Sequence, residues 1–77
     1  METRDINKRV VIATGGFDPA HSGHIAYLKA ARSLGERLVV GLNSDQWLLR
    51  KKGKYLLDFK EREAVLTAFS FVDEVMS

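Results

Sequence analysis

Two short apolar runs, at residues 10–13 and 38–40, constrain the fold more than any other feature of this sequence. The first run is β-branched and ends in a pair of glycines, Gly15 and Gly16. Continuous apolar runs of this length are typical of strands that are buried on both faces. Between them, residues 22–34 carry apolar side chains at helical spacing: Ile25, Leu28, Ala31 and Leu34. A strand, a helix and a second strand in this order predict two parallel strands with a helical crossover.

The second half of the chain continues the same alternation. A short helix is expected at residues 45–50, and the spacing from Asp58 to Glu61 is that of a capping box, which starts another helix. The buried stripe of that helix would be Val65, Leu66 and Phe69, and residues 71–76 form the third predicted strand. Gly35 is placed as the glycine that ends the first helix. The predicted fold class is α/β, a Rossmann-like parallel sheet built as the β-α-β-α-β half of a doubly wound fold.

Composition limits the remaining possibilities. The chain has 77 residues, and we predict one domain that spans residues 1–77. It has no cysteine, which excludes disulfides and cysteine-based zinc sites, and a net charge of +2 is too small to indicate nucleic-acid binding by itself. No apolar run approaches the roughly 20 residues of a membrane span. Residues 1–8 form a polar lead-in without the apolar segment of a signal peptide, so we expect a cytoplasmic protein.

The stretch at residues 15–24, GGFDPAHSGH, joins the first predicted strand to the first helix. Ligands of open α/β sheets bind at this edge, outside the carboxyl ends of the strands. The glycines allow main-chain N–H groups to approach a phosphate, and the helix start adds free N–H groups and a positive dipole end. His21 and His24 are three residues apart and face one side, where imidazoles can donate to phosphate oxygens. A metal-binding pair is the alternative, but Asp18 is the only carboxylate nearby.

This stretch resembles the signature G-x-F-D-x-x-H-x-G-H of the cytidylyltransferase-like nucleotidyltransferases. The resemblance extends from about residue 9 to residue 76 and is greatest to glycerol-3-phosphate cytidylyltransferases and to the adenylyltransferase domain of heptose-phosphate enzymes. It implies that a phosphate of a phosphorylated small molecule attacks the α-phosphorus of CTP or ATP and releases pyrophosphate. The attacking group is already an anion, so no general base is needed, and catalysis depends on orientation and charge stabilisation.

The resemblance also implies the site residues. His21, His24 and Lys51 would be catalytic, with Lys51 contacting the phosphate of the acceptor. The nucleotide would be bound by the whole loop: Gly15, Gly16, Phe17, Asp18, His21, Gly23 and His24. No protein ligands to a metal are predicted, because Mg²⁺ would be bound through the nucleotide phosphates. The implied partners are CTP or ATP, a phosphorylated acceptor and a second copy of the chain, without a membrane.

Several side chains keep a structural alternative beside the functional one. A second family lysine would fall at Gly53, where Lys52 or Lys54 is the candidate substitute, although these lysines also fit a solvated basic loop. Arg62 matches a family arginine, but a helix arginine is more often at the surface or in a salt bridge. Trp47 is most simply a core or interface residue. Asp18 is expected to bond main-chain N–H groups rather than substrate.

The family has a second signature, of the form R-T-x-G-x-S, that this sequence lacks. Its sheet order resembles 3-2-1-4-5, of which the chain supplies the first three strands, so the first strand would be an open edge. We therefore expect an incomplete gene product, an artificially shortened chain or cover from a neighbouring subunit. Two other functions stay open: a catalytically silent nucleotide-binding or oligomerisation module, and a nucleic-acid-binding protein that uses the basic loop. The last predicts strongly salt-dependent binding.

Overall fold

The computed structural model describes residues 9–77, and the polar lead-in predicted at residues 1–8 lies outside the described part. The chain forms a three-stranded sheet with three helices, which confirms the predicted α/β class with its Rossmann-like parallel sheet. In chain order the elements are β1 (Val10–Gly15), α1 (Ser22–Arg32), β2 (Arg37–Leu42), α2 (Asp45–Lys52), α3 (Phe59–Thr67) and β3 (Glu74–Met76). In residues 9–77, no helix combines the length and apolar character needed to cross a bilayer.

The sheet is parallel throughout, in the order β1-β2-β3, and β2 is its central strand. Leu38 and Val40 of β2 are fully buried. On β1 the pattern differs, because Val10 is 51% exposed and Ile12 is 65% exposed. The prediction that the first run is buried on both faces is therefore wrong within residues 9–77. The prediction that β1 forms an open edge of this sheet is confirmed.

Helix α1 packs through Leu28 and Ala31, both of which are buried. The predicted stripe is wrong at Leu34, which is 63% exposed because the helix ends at Arg32, before that position. Gly35 is not a left-handed cap, since Ser33 caps the helix with φ −69° and Gly53 is the only glycine with positive φ in the described chain. A Cβ at Gly35 would lie 2.5 Å from the carbonyl oxygen of Arg9. Close approach of two backbone segments therefore explains this glycine.

Helices α2 and α3 begin where the sequence predicts, each after a capping side chain. The hydroxyl of Ser44 accepts from the main-chain N–H of Trp47, and the carboxylate of Asp58 accepts from that of Glu61. Helix α2 continues two residues beyond the predicted end and stops at Gly53, whose φ of 81° is the left-handed conformation that favours glycine. Leu66 of α3 is buried as predicted and Phe69 is half-buried, whereas Val65 is 39% exposed.

The third strand is shorter than predicted, with pairing to β2 that starts only at Glu74. Phe71 lies in the preceding turn, where its ring stacks on Phe69 at a centroid distance of 5.3 Å. The carboxylate of Asp73 accepts from the main-chain N–H of Leu38 at 2.7 Å. The main-chain N–H of Asp73 also donates to the carbonyl oxygen of Leu38 at 2.9 Å, so Asp73 bonds Leu38 through both its main chain and its side chain just before the strand begins.

Candidate nucleotide-binding site

The loop between β1 and α1 ends in a helix cap made of two histidines. His21 occupies the N-cap position, with extended backbone angles, and its Nδ1 accepts from the main-chain N–H of Gly23 at 3.0 Å. Nδ1 of His24 accepts from the main-chain N–H of His21 at 3.2 Å. The two rings stack, with centroids 3.9 Å apart. The predicted pair therefore lies on one side of the helix start, and each ring satisfies a main-chain donor that the helix leaves free.

Three glycines make room for this arrangement. A Cβ at Gly15 would approach the ring of Phe17 to 2.9 Å, and one at Gly16 would approach Cδ2 of Leu48 to the same distance. A Cβ at Gly23 would lie 2.9 Å from Cε1 of His21, so the imidazole can cover the helix start only because this residue lacks a side chain. Packing is therefore one reason for the glycines, alongside the predicted approach of phosphate to the main chain.

Phe17 anchors the loop in the core. Its side chain is 4% exposed, its φ is 49°, and its ring meets that of His24 edge to face at a centroid distance of 5.0 Å. Positive φ is uncommon for a bulky residue and persists only where the surroundings hold it. The buried ring provides that restraint and also fixes the position of the second histidine.

The environment of His24 disfavours its charged form. Burial lowers its pKa from the ordinary value of 6.5, and the positive charges of His21 and Lys52 lower it further. The sequence predicts easy protonation of this imidazole near an anion, and the lowered pKa of His24 opposes it.

Asp18 joins the loop to a second segment, just before α3. Its two carboxylate oxygens accept from the main-chain N–H groups of Leu56 and Leu57, each at 2.6 Å. The predicted role of Asp18, bonding main-chain N–H groups, is therefore observed. An open pocket of about 220 Å³ lies at this junction, lined by Asp18, Lys52, Lys54, Tyr55 and Leu56.

The basic residues at the end of α2 divide between two environments. Lys52 and Lys54 line the pocket, whereas Nζ of Lys51 lies over the ring of Trp47, 6.0 Å from its centroid. Trp47 itself is half-buried, in agreement with a packing role. The sequence singled out Lys51 and did not identify Tyr55. The signal for the pocket is Gly53, which ends the helix and turns the lysines on either side of it toward one cavity.

Arg62 is a buried side chain that connects several segments around the site. Its side chain is fully buried and donates to the carbonyl oxygens of Gly16, Asn43 and Leu57 at 2.7–2.9 Å. It also forms an ion pair with the carboxylate of Asp45 at 2.5 Å. The expectation of a surface arginine is wrong, and that of a salt-bridge partner is confirmed. Arg62 therefore ties together the loops that follow β1 and β2 and the segment before α3.

The site contains no preformed metal cage within the described part of the chain. No three His, Cys, Asp or Glu side chains among residues 9–77 stand close enough together to hold one ion. The nearest carboxylate to the histidines in the signature, that of Asp18, already accepts two main-chain hydrogen bonds. These residues are compatible with a divalent ion that is carried by the phosphates of a ligand.

Comparison with known proteins identifies the family. The family model described as cytidylyltransferase-like matches residues 12–77, which include both histidines and the whole sheet except the first residues of β1. The chain belongs to the cytidylyltransferase-like family. Its two-histidine cap and the pocket beside it are therefore features of a cytidylyltransferase-like domain.

Individual proteins that are similar in sequence to this chain also support its membership of the family. The bifunctional protein HldE of Pelobacter propionicus is 45% identical over 71 residues, which cover 90% of this chain but 14% of that protein. HldE of Helicobacter pylori is 42% identical over 79 residues, covering 99% of this chain and 17% of that protein. The crystal structure of a lipopolysaccharide core biosynthesis protein from Thermoplasma volcanium GSS1 superposes with a TM-score of 0.80 at 38% identity. This match covers 90% of the chain and 57% of that protein.

Proposed function

We propose that this cytidylyltransferase-like chain binds the triphosphate of CTP or ATP at the β1–α1 loop and takes part in nucleotidyl transfer. The product would be a nucleotide-linked small molecule, formed from a phosphorylated acceptor with release of pyrophosphate. The chain spans less than a fifth of the HldE proteins that it matches. The proposal therefore concerns only the chemistry of this domain. It does not extend to other activities of those longer proteins.

The observation that carries the proposal is the histidine cap at the carboxyl end of β1. Both Nδ1 atoms accept from main-chain N–H groups, and neither Nε2 atom has a hydrogen-bond partner among residues 9–77. Two donors beside the positive end of a helix dipole form a site for a polyanion. Family membership independently favours the same use of the motif.

In the proposed reaction an oxygen of the acceptor phosphate forms a bond to the α-phosphorus, and the bond from that phosphorus to the bridging oxygen breaks. Pyrophosphate leaves with the electron pair, and no proton has to be removed from the attacking anion. The residues of this chain orient the phosphates and stabilise charge on the transferring group through His21 and His24. Mg²⁺, bound through the nucleotide phosphates, would supply further neutralisation of their charge.

The pocket beside the histidines is the proposed place for the acceptor phosphate. Lys52 and Lys54 bring two positive charges to its lining, and Asp18 joins this lining to the β1–α1 loop. A phosphate bound between these lysines would lie next to the triphosphate site. This arrangement favours Lys52 and Lys54 over Lys51, which is placed against Trp47.

Turnover separates an enzyme from a silent binding module. With Mg²⁺, CTP or ATP, and glycerol-3-phosphate or a sugar phosphate, the chain is expected to release pyrophosphate in a coupled assay. The His21→Ala variant provides the control for the site. Nucleotide binding that depends on His21 but is never followed by pyrophosphate release would contradict the enzyme and select the binding module.

Replacing both pocket lysines is expected to weaken acceptor binding. Since a hydrogen bond to a charged group contributes about 1.5–3 kcal/mol, the loss of one lysine should raise the KM for the phosphorylated acceptor by about 10- to 100-fold, and the Lys52→Ala/Lys54→Ala variant should raise it further. The matched control is Arg50→Ala, which removes a charge from the same exposed basic cluster. A rise in KM for Lys51→Ala, with no rise for the double variant, would show that the pocket lysines are the wrong ones.

A further inference from the structure

The pocket segment, residues 54–57, contributes three of the residues that line the pocket, and it has little packing of its own. Its first three residues are exposed, Leu56 by 69%. Within residues 9–77, no hydrogen bond joins the main chain of this segment to another main-chain group. Its main-chain groups are instead bonded by the side chains of Asp18 and Arg62. The shape of the pocket therefore depends on these two side chains.

Asp18 is an acid in the lining of a pocket whose other charged residues are lysines. A carboxylate and a phosphate repel each other at close range, so direct contact with an acceptor phosphate would be unfavourable. Both oxygens of Asp18 are already used, because they accept from the main-chain N–H groups of Leu56 and Leu57, each at 2.6 Å. Hydrogen bonds to an ionised group are among the stronger ones in proteins. Asp18 therefore holds the pocket segment and leaves the lysines to meet a phosphate.

A second connection joins the same two parts of the chain. The guanidinium of Arg62 donates to the carbonyl oxygens of Gly16 and Leu57, each at 2.9 Å. The β1–α1 loop is therefore bonded to the pocket segment through two separate side chains. Between Gly16 and Asp18 lies the buried ring of Phe17, which meets the ring of His24 at a centroid distance of 5.0 Å. A displacement of the loop at the histidines is therefore transmitted to the pocket segment.

We propose that Asp18 is a positioning residue that couples the two substrates, so that a nucleotide at the β1–α1 loop and a phosphorylated acceptor in the pocket each raise the affinity of the chain for the other. The ligand that binds first orders the connected segments, and the second then meets an arrangement that is already formed. Such coupling is reciprocal and typically changes affinity by about 5- to 150-fold. It rests on the proposed function, because both substrates must bind where that function places them.

Asp18→Asn is the variant that tests the coupling. An amide keeps one acceptor oxygen but places an NH₂ group where the second carboxylate oxygen accepts, so one of the two bonds is lost. Calorimetry with Mg²⁺ and the α,β-methylene analogues of ATP and CTP measures nucleotide affinity without turnover, because the bond that breaks in transfer is replaced by a bond to carbon. Saturating glycerol-3-phosphate is expected to raise this affinity at least about fivefold in the native chain and less than about twofold in the variant.

Glu61→Gln is the matched control, since it makes the same change of charge at an exposed position on α3. It should keep the coupling of the native chain, at a temperature at which circular dichroism shows native secondary structure in both variants. Equal coupling in Asp18→Asn and the native chain would overturn the role of Asp18. Independent binding of the two ligands to the native chain would overturn the coupling but not the proposed function. Failure of both nucleotide analogues to bind would overturn the proposed function, and the coupling with it.

Hydrogen exchange provides a test on the native chain alone. With Mg²⁺ and the nucleotide analogue at saturation, and without an acceptor, the amides of Leu56 and Leu57 are expected to exchange about fivefold or more slowly than in the free chain, because the nucleotide orders the pocket segment through the β1–α1 loop. Unchanged exchange at these two amides while the nucleotide is bound would refute coupling through Asp18.

Discussion

Arg62→Ala is expected to destabilise the chain by about 3–5 kcal/mol, because it breaks an ion pair whose arginine is fully buried and leaves several polar groups uncompensated. The change removes the ion pair with Asp45 and leaves the carbonyl oxygens of Gly16, Asn43 and Leu57 without their donor. A chain of 77 residues has roughly 4–12 kcal/mol of stability in total, at about 0.05–0.15 kcal/mol per residue. The variant is therefore expected to be partly unfolded at 37 °C. Urea denaturation followed by circular dichroism measures this difference.

Two variants sharpen the test of Arg62. Lys60→Ala removes an exposed positive charge from the same helix and should change stability by less than about 0.5 kcal/mol. Arg62→Lys keeps the charge but cannot reproduce the planar set of donors, so it should recover only part of the loss. If Arg62→Ala unfolded at the same urea concentration as the native chain, Arg62 would not be the element that joins the three loops.

His24→Ala is expected to lower the rate of nucleotidyl transfer by about 100- to 1000-fold, the usual effect of removing one donor to a developing negative charge. His24→Gln should lose activity as well, because its amide N–H does not lie where the imidazole Nε2–H lies, but its Oε1 retains an acceptor for the helix cap. Comparing the two variants separates the chemistry of the ring from its structural role. The rate is measured by pyrophosphate release at saturating nucleotide and acceptor.

The matched control for this position is Lys29→Ala on the same helix. Nζ of Lys29 lies over the ring of Phe71, 5.6 Å from its centroid, and Lys29 is not among the residues of the β1–α1 loop or the pocket. Its removal should leave the rate within about twofold of the native value, as for other exposed substitutions. Equal activity of His24→Ala and Lys29→Ala would mean that His24 takes no part in transfer.

Much of the fold could be predicted because local signals and the sheet agree. The apolar runs predicted β1 and β2, the short helix expected from residue 45 begins there, and the capping box at Asp58 predicted the start of α3. The predictions were wrong where a tertiary contact, and not a local sequence pattern, determines the structure. Gly35 ends no helix but lies against the backbone of Arg9, and the carboxylate of Asp73 accepts from the main-chain N–H of Leu38 just before the third strand. Such contacts join residues that are far apart in the sequence, and no local pattern encodes them.

The sequence predicts which residues form the motif of the candidate site, but not how their atoms are arranged. Spacing placed His21 and His24 on one side of the helix start, yet it could not indicate that both Nδ1 atoms serve as caps. The burial of Arg62 could not be predicted from the sequence either, because a single arginine in a helix is more often a surface residue. Its role became evident only when the loops after β1 and β2 were seen to converge on its guanidinium.

The most direct test of triphosphate capture at the histidine cap is an amide and imidazole NMR titration of the chain with Mg²⁺ and ATP or CTP. Capture at this cap predicts that the largest changes occur at the main-chain N–H groups of Gly15, Gly16 and Gly23 and at the Nε2–H groups of both histidines. Changes confined to the basic residues 50–54, with the imidazole signals unaltered at saturation, would contradict it.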